Sequence, residues 1–563
     1  MSLFAPVNRP QRLAAVATVL AILAAVTAGS SPAPDDSHSP PPERRPAPLF
    51  QGLGTWTHPV STQSVEAQRY FDQGLMFCYG FNHKEAIRSF AAAAELDPNL
   101  AMAWWGIAFA HGPNINAPMF DGALPSAVEA LDRAIALKDQ VSPRDRAYIE
   151  ALTARYSRDE EAERSTLDQA FAAAMREVAE KYPDDLDASV LYADAVMNTM
   201  AWDYWLPDRS PKPAALEVIA VLDRVLSREP MHPGANHAYI HLIEAGPEPW
   251  RALPSADRLV NYAPDSGHLL HMPSHIYIRT GQYERAVAVN EVAAAADWDY
   301  IAQCQAQGFY PGLYYPHNLH FLWYALTFEG RAEDCIQAAR EVARYASSPL
   351  CGTEIVEAPR LLHLPLVSQA RFGRWDDILA TTQAPSDGAM DRLMYHYARA
   401  LAFAAVGRAS EAKDEASKVA ELVSGDDLKA LDNQYLPAMG IGQVAKHLAA
   451  AKAARASGDR AGELAELEAA VAAEQALPYM EPAFWYFPTR QSLAAALLQH
   501  GDAAAAEKHF RQDLQDFPRN GWSLHGLAAA LEAQDRTDDA RLVQREFAQA
   551  WARADVKPEL NWY

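Results

Sequence analysis

Residues 65–98 read VEAQRYFDQGLMFCYGFNHKEAIRSFAAAAELDP. Ala67, Tyr70, Gly74 and Phe77 recur at three- and four-residue intervals, and Ala86, Phe90 and Ala93 repeat the pattern after a short break. Apolar or small residues at that period form one face of an α-helix. The segment therefore reads as two amphipathic helices joined by a turn. Gly74 and Ala86 are small enough to let the pair approach closely. Pro98 ends the second helix, because proline cannot continue the backbone hydrogen-bond ladder.

With Ala67 as position 1, these residues occupy positions 4, 8, 11, 20, 24, 27 and 32 of a 34-residue unit. In that frame the segment resembles the tetratricopeptide repeat at nearly every defining position. Looser copies follow. Trp105, Gly106 and Phe109 open one; Tyr277, Gly281, Tyr283 and Ala286 mark another; Leu401, Gly407 and Ala412 a third. Trp485, Leu493, Gly501, Ala505 and Phe510 mark a late unit, and Trp522, Gly526 and Leu527 begin the last. Strand signals are almost absent. The fold class expected is all-α, a superhelix (solenoid) of antiparallel helix pairs. A compact helical domain is the alternative.

The chain has 563 residues, half of them hydrophobic, and a net charge of −23. That charge argues against a nucleic-acid partner and against an anionic membrane surface. Residues 1–30 read as a signal peptide: Arg9 and Arg12 precede an apolar run from Leu13 to Thr27, followed by Ala28, Gly29 and Ser30. No cysteine follows, so a lipoprotein is not indicated, and an uncleaved anchor is the alternative. The run is too short for a confident membrane span, and the mature chain is expected to have none. Residues 31–50 read as a Pro/Ser-rich disordered linker and 51–563 as the helical-repeat domain. Cys78, Cys304, Cys335 and Cys351 are widely spaced and form no CxxC.

Eight of the 18 histidines fall between His232 and His320, where an even spread would place about three. Seven form three groups: His237 and His241 with Glu244; His268, His271 and His275; and His317 with His320. Each spacing puts its members on one side of a helix. In the tetratricopeptide repeat, positions 2, 5, 9, 12 and 13 of the first helix line the concave face. With Gly281 at position 15, His268, His271 and His275 fall at 2, 5 and 9. With Gly330 at position 15, His317 and His320 fall at 2 and 5. With Pro233 at position 1, His237, His241 and Glu244 fall at 5, 9 and 12. Successive repeats stack side by side, so the three groups are expected to meet in central repeats spanning about 230–325.

Imidazoles crowded together cannot all be protonated without repulsion, and a metal cation removes that cost. The donor set suits one or two transition metal ions, copper, iron or zinc, better than calcium or magnesium. A neutral hydrogen-bonded cluster or a polar ligand groove is the other reading of the same residues. Ala238 stands where a zincin protease carries its general-base glutamate, so Glu244 reads as a ligand or as an acceptor behind the ligands. There is no nucleophile elbow, phosphate loop or dinucleotide fingerprint. Pro273 either kinks the middle helix or starts it. Asn318, Tyr277 and Arg279 flank the histidines. The loops Gly112-Pro113-Asn114-Ile115-Asn116 and Ala201-Trp202-Asp203-Tyr204-Trp205 are candidates to close a pocket.

Taken together, Trp105-Gly106, the Gly112–Asn116 loop, Trp202-Asp203-Tyr204-Trp205, His237-Ala-Tyr-Ile-His241, His271-Met-Pro-Ser-His275-Ile-Tyr277, His317-Asn-Leu-His320-Phe321 and Gly521-Trp522-Ser523-Leu524 make the chain resemble one family of bacterial tetratricopeptide-repeat proteins. The likeness spans about 60–535. It implies the repeat fold and supplies no reaction. The expectation from the site is an exported, periplasmic or extracytoplasmic protein. Its concave pocket holds metal for redox or hydrolytic chemistry on a small molecule. The alternatives are a scaffold binding a peptide or protein in the groove, and a metal carrier. Export predicts a mature chain beginning near Ser30 or Ser31, read by N-terminal sequencing; an intact Met1 form in the cytosol would reject it.

Overall fold

A computed structural model describes residues 47–563 except 160, 207, 307, 347–360, 434–435, 561 and 563. The signal peptide expected over residues 1–30, most of the linker and Cys351 lie outside the described residues. The repeat region, from Leu49 onward, forms one unit. Its regular elements are helices, with no strand among the described residues beyond two isolated bridges, Asn114 with Ala117 and Trp205 with Pro211. Those bridges sit in the two irregular loops singled out above. No helix is long and apolar enough to cross a membrane, among the described residues.

The first pair is the helices Val65–Tyr79 and His83–Leu96. The Ser64 side chain accepts the backbone N–H of Ala67 and so caps the first helix; Asn82 does the same for Glu85 N–H in the second. The fully buried Phe90 explains the small residues around it. A Cβ on Gly74 would lie 2.6 Å from the Phe90 ring, and so would one on Gly106 of the next pair. One phenyl ring thus locks its own hairpin to the following one. Gly526 plays the same part for Phe510 near the other end, where a Cβ would come within 2.1 Å of the ring.

Helices continue in antiparallel pairs, each packed mainly on its sequence neighbours. The central pairs are Pro233–Glu244 with Leu253–Leu259, then Gly267–His271 and Pro273–Arg279 with Tyr283–Cys304, then Phe309–Glu329 with Ala332–Ala346. The architecture is the expected all-α superhelix of helix pairs.

The superhelix coils back on its own middle. Near the start, Asp265 accepts the backbone N–H of Gly52 at 2.8 Å, and Tyr300 donates to Glu85 at 3.3 Å. Near the end, the indole of Trp522 donates to the Thr327 carbonyl at 2.9 Å, and Asp555 accepts the N–H groups of Ala332 and Glu333. Gly281, at φ +71°, sits so close to the last hairpins that a Cβ would be 2.2 Å from the Pro518 carbonyl oxygen. The three central pairs are therefore covered from both ends of the chain.

Because Phe90 is wedged between two hairpins, Phe90→Ala is expected to cost about 3 to 5 kcal/mol of local stability. Denaturant unfolding followed by limited proteolysis of residues 65–110 checks this; an unchanged midpoint would contradict the wedge.

Candidate metal centre

Three first helices carry the histidines, and each is shaped to bring its rings inward. Pro233–Glu244 places His237 and His241 one turn apart, with Glu244 at its end. Gly234 lets this helix press against the first: a Cβ there would meet the Tyr79 ring at 2.5 Å. The second helix is interrupted. Gly267–His271 and Pro273–Arg279 are both helical and are joined through Met272, itself helical at φ −50° and ψ −38°. Proline lacks the N–H that would continue the ladder. Pro273 therefore both opens a helical segment and breaks a continuous one, between His271 and His275. The third helix, Phe309–Glu329, contains Pro316 one residue before His317.

Six imidazoles come together. In one triad, His237, His241 and His268 each bring a ring nitrogen within 4.8 Å of the other two. In a second triad His271, His275 and His317 do the same. The Nε2 atoms of His237 and His268 are 3.2 Å apart, and those of His271 and His275 are 2.9 Å apart. Metal–nitrogen bonds of about 2.0–2.1 Å put two nitrogens of one ion roughly 3 to 3.5 Å apart. His320 lies outside both triads. Three residues beyond His317, it is rotated about 60° around the helix. Its ring stacks on Trp323 with centroids 5.1 Å apart.

The outer edges of four rings are held by oxygen. His237 Nδ1 lies 2.5 Å from the Tyr79 carbonyl oxygen and His271 Nδ1 lies 2.7 Å from Asn290 Oδ1. Asn290 Nδ2 donates to the Ala286 carbonyl at 2.8 Å, which fixes the amide so that its oxygen faces His271. Glu244 serves two rings: Oε1 is 2.9 Å from His241 Nδ1 and Oε2 is 2.6 Å from His275 Nδ1. Burial opposes ionisation of Glu244, but His275 and His241 hold its carboxyl down at about 2. All four partners are acceptors, so each Nδ1 carries the proton and donates. The four Nε2 lone pairs then face inward.

His271 and His275 thus direct bare nitrogens at each other across 2.9 Å. Two lone pairs at that distance repel unless a cation, a proton or a metal ion, lies between them. The Nε2 of His241 and the Nδ1 of His268 are buried with no hydrogen-bond partner. Buried nitrogens of this kind are costly unless something satisfies them.

Burial keeps protons off most of these rings. It holds His237, His268, His271 and His317 well below the usual histidine range, and neighbouring imidazoles push the same way. For His241, burial outweighs the attraction of Glu244. Burial and His363 take the separate His320 down to about 3.

Aromatic rings line the cluster, in which His317 alone of the six imidazoles is partly exposed. Phe81 lies against all three rings of the first triad, at centroid distances of 4.5, 6.0 and 5.4 Å to His237, His241 and His268. Phe321 does so for the second, at 4.4, 4.4 and 4.8 Å to His271, His275 and His317. Trp202 meets His241 edge-on at 5.1 Å, and Tyr314 meets His268 at 4.6 Å. Phe81 and Trp202 both hold a positive φ, +55° and +62°, which non-glycine residues rarely adopt. From far along the chain, the Tyr479 hydroxyl reaches Glu244 at 3.4 Å and Glu481 at 2.5 Å. Of the flanking residues, Arg279 donates to the Glu244 carbonyl, Asn318 to Asp297 and Tyr277 to Asp257. The Gly112–Asn116 loop touches the site through Asn116, which donates to the Tyr314 hydroxyl at 3.4 Å.

Sequence reasoning did not find Tyr79, Phe81, Asn290 or Tyr479. Asn290 left one trace: a polar residue on the buried side of an alanine-rich helix. The other three left none, because their roles arise from contacts between distant repeats.

No family model matches this chain, and no curated protein matches it. Solved structures similar to it include the P58(IPK) TPR domain, at 12% identity over 84% of this chain and 99% of that one, with a TM-score of 0.21. Yeast Tom70 aligns at 14% identity over 86% and 90%, with a TM-score of 0.29. The APC/C hetero-tetramer Cut9–Hcn1 aligns at 12% over 87% and 80%, with a TM-score of 0.36. At these scores the likenesses carry no argument about chemistry.

Buried neutral imidazoles make the metal-free protein acid-labile. Above pH 6.5 folded and unfolded chains are both unprotonated at His237, His241, His268 and His317, and the full stability from these rings is present. Below it the unfolded chain binds protons that the folded one refuses, so stability falls by up to about 1.4 kcal/mol per pH unit for each ring. Glu244 adds to the loss at lower pH, since its stabilisation is present above the ordinary carboxyl range and disappears as pH falls toward 2. The melting temperature of chelator-treated protein is therefore expected to drop steeply between pH 6.5 and 5. A flat profile there would rule out a buried neutral cluster.

Proposed function

We propose that this chain is an exported helical-repeat protein whose central repeats hold one or two transition metal ions, copper, iron or zinc, for redox or hydrolytic chemistry on a small molecule. One observation carries the reading. Buried imidazole nitrogens lie 2.9 and 3.2 Å apart, and acceptors on the outer edges of His237, His271 and His275 turn their lone pairs inward. Such a bound ion can activate water or dioxygen.

The chain's own residues supply position and exclusion of water. Glu244, the Tyr79 carbonyl and Asn290 set ring orientation and raise the basicity of the inward nitrogens. Phe81 and Phe321 cover the rings of the two triads and limit the access of water. His237, His241, His268, His271 and His275 are at most 2% exposed. An extended peptide lying in the groove therefore does not reach these five rings.

Elemental analysis of untagged protein, after incubation with each metal and desalting, tests the reading. Wild type should retain metal. The double variant His241→Ala/His275→Ala, which removes from each triad the ring that Glu244 holds, should retain almost none while its helical circular dichroism persists. Equal metal content in the two proteins would overturn the assignment.

A further inference from the structure

Resting on the metal-binding reading of the same histidines, we propose that the centre takes two monovalent copper ions, one in each histidine triad, with Glu244 as the shared anchor of both.

The division into two sites is geometric. Neither triad needs a ring from the other. Each has one close nitrogen pair, at 3.2 Å in the first and 2.9 Å in the second, and a third ring nitrogen within 4.8 Å. Each also has its own phenyl ring touching all three imidazoles, Phe81 for the first and Phe321 for the second. A single ion, at about 2.0 Å from each nitrogen, cannot gather six rings divided in this way. The triads adjoin: the His241 and His275 ring centroids are 5.3 Å apart and those of His268 and His271 5.9 Å, no wider than His241–His268 at 6.2 Å or His275–His317 at 6.1 Å inside the triads, so the division rests on the nitrogen spacings.

Charge decides between metals. The two triads offer six neutral imidazoles, and the one carboxylate that touches them is Glu244, among the described residues. Against the single charge of Glu244, two divalent ions would leave three positive charges uncompensated in a largely buried site; two monovalent ions leave one. Desolvation and mutual repulsion both rise steeply with charge at low dielectric. Arg279, half-buried beside Glu244 with its Nε donating to the Glu244 carbonyl, weighs further against divalent ions. Among imidazole-binding metals, copper is the one with a stable monovalent state. Three neutral nitrogens, with no carboxylate or thiolate in either triad, suit that ion.

Glu244 couples the sites because its two oxygens grip one ring of each, His241 and His275. Substitution there should loosen both triads together.

The test is an anaerobic titration of wild-type protein with cuprous ion against a colorimetric cuprous chelator, beside parallel titrations with zinc and ferrous ion. Two tightly held cuprous equivalents per chain, with zinc and iron bound more weakly, are expected. His237→Gln and His271→Gln should each retain one equivalent. Glu244→Gln should keep both but weaken both affinities, by about 10- to 100-fold. One equivalent in wild type overturns the two-site division, and two zinc ions held more tightly than copper overturn the choice of metal. Both results would leave the metal-binding reading standing. If none of the three metals binds, that reading itself fails. A Glu244→Gln effect confined to one equivalent overturns the shared anchor.

Discussion

A buried carboxylate is costly unless its lone pairs are satisfied, and the interior of this protein is arranged around one such group, Glu244. One oxygen takes the Nδ1 proton of His241 from its own helix, and the other takes that of His275 from the next. Its backbone carbonyl takes Arg279. Tyr479, 235 residues along, approaches the same carboxylate. Satisfying this charge fixes how two imidazoles are turned. Their orientation exposes inward nitrogens, and the remaining rings complete the triads.

That arrangement needs walls on both sides. Tyr79 offers its carbonyl to His237 because Gly234 lets two helices approach closely. The Tyr79 hydroxyl is held in turn by Asp187, which also takes the Trp56 indole and His58. The N-terminal segment is therefore part of the support of the first triad. On the other side, the late hairpins reach the central helices through Trp522 and the closely seated Gly281. Repeat packing supplies the buried area, and the polar cluster specifies how the turns of the superhelix sit against each other.

Much of the fold was legible because its signals are local. Phe90 with Gly74 and Gly106 announces a hairpin and its successor within about forty residues. Units such as the pair Leu186–Asn198 and Pro213–Arg228 carry weaker repeat signatures. Their helices close on Val190, Leu191, Val218 and Leu222 without a glycine–aromatic wedge. Of the candidate site, the frame brought together six histidines and Glu244. His320 shared the helix but not the cluster, since a three-residue step carries it round toward Trp323. Phe81 and Trp202 could not be assigned, because a left-handed backbone at a phenylalanine or tryptophan has no local sequence signal.

By itself the sequence determined the helical period, the pairing of neighbouring helices and the faces on which the histidines lie. These follow from side-chain spacing and from steric fit between residues close in the chain. Only the tertiary structure decided that the histidines form two triads, that Glu244 stands behind the rings rather than among the inward nitrogens, and that five of the six clustered rings are buried while His317 stays partly exposed. Those outcomes depend on the small rotation between successive hairpins, summed over many repeats. A sum of small angles is set by every interface at once and is written in no single stretch of residues.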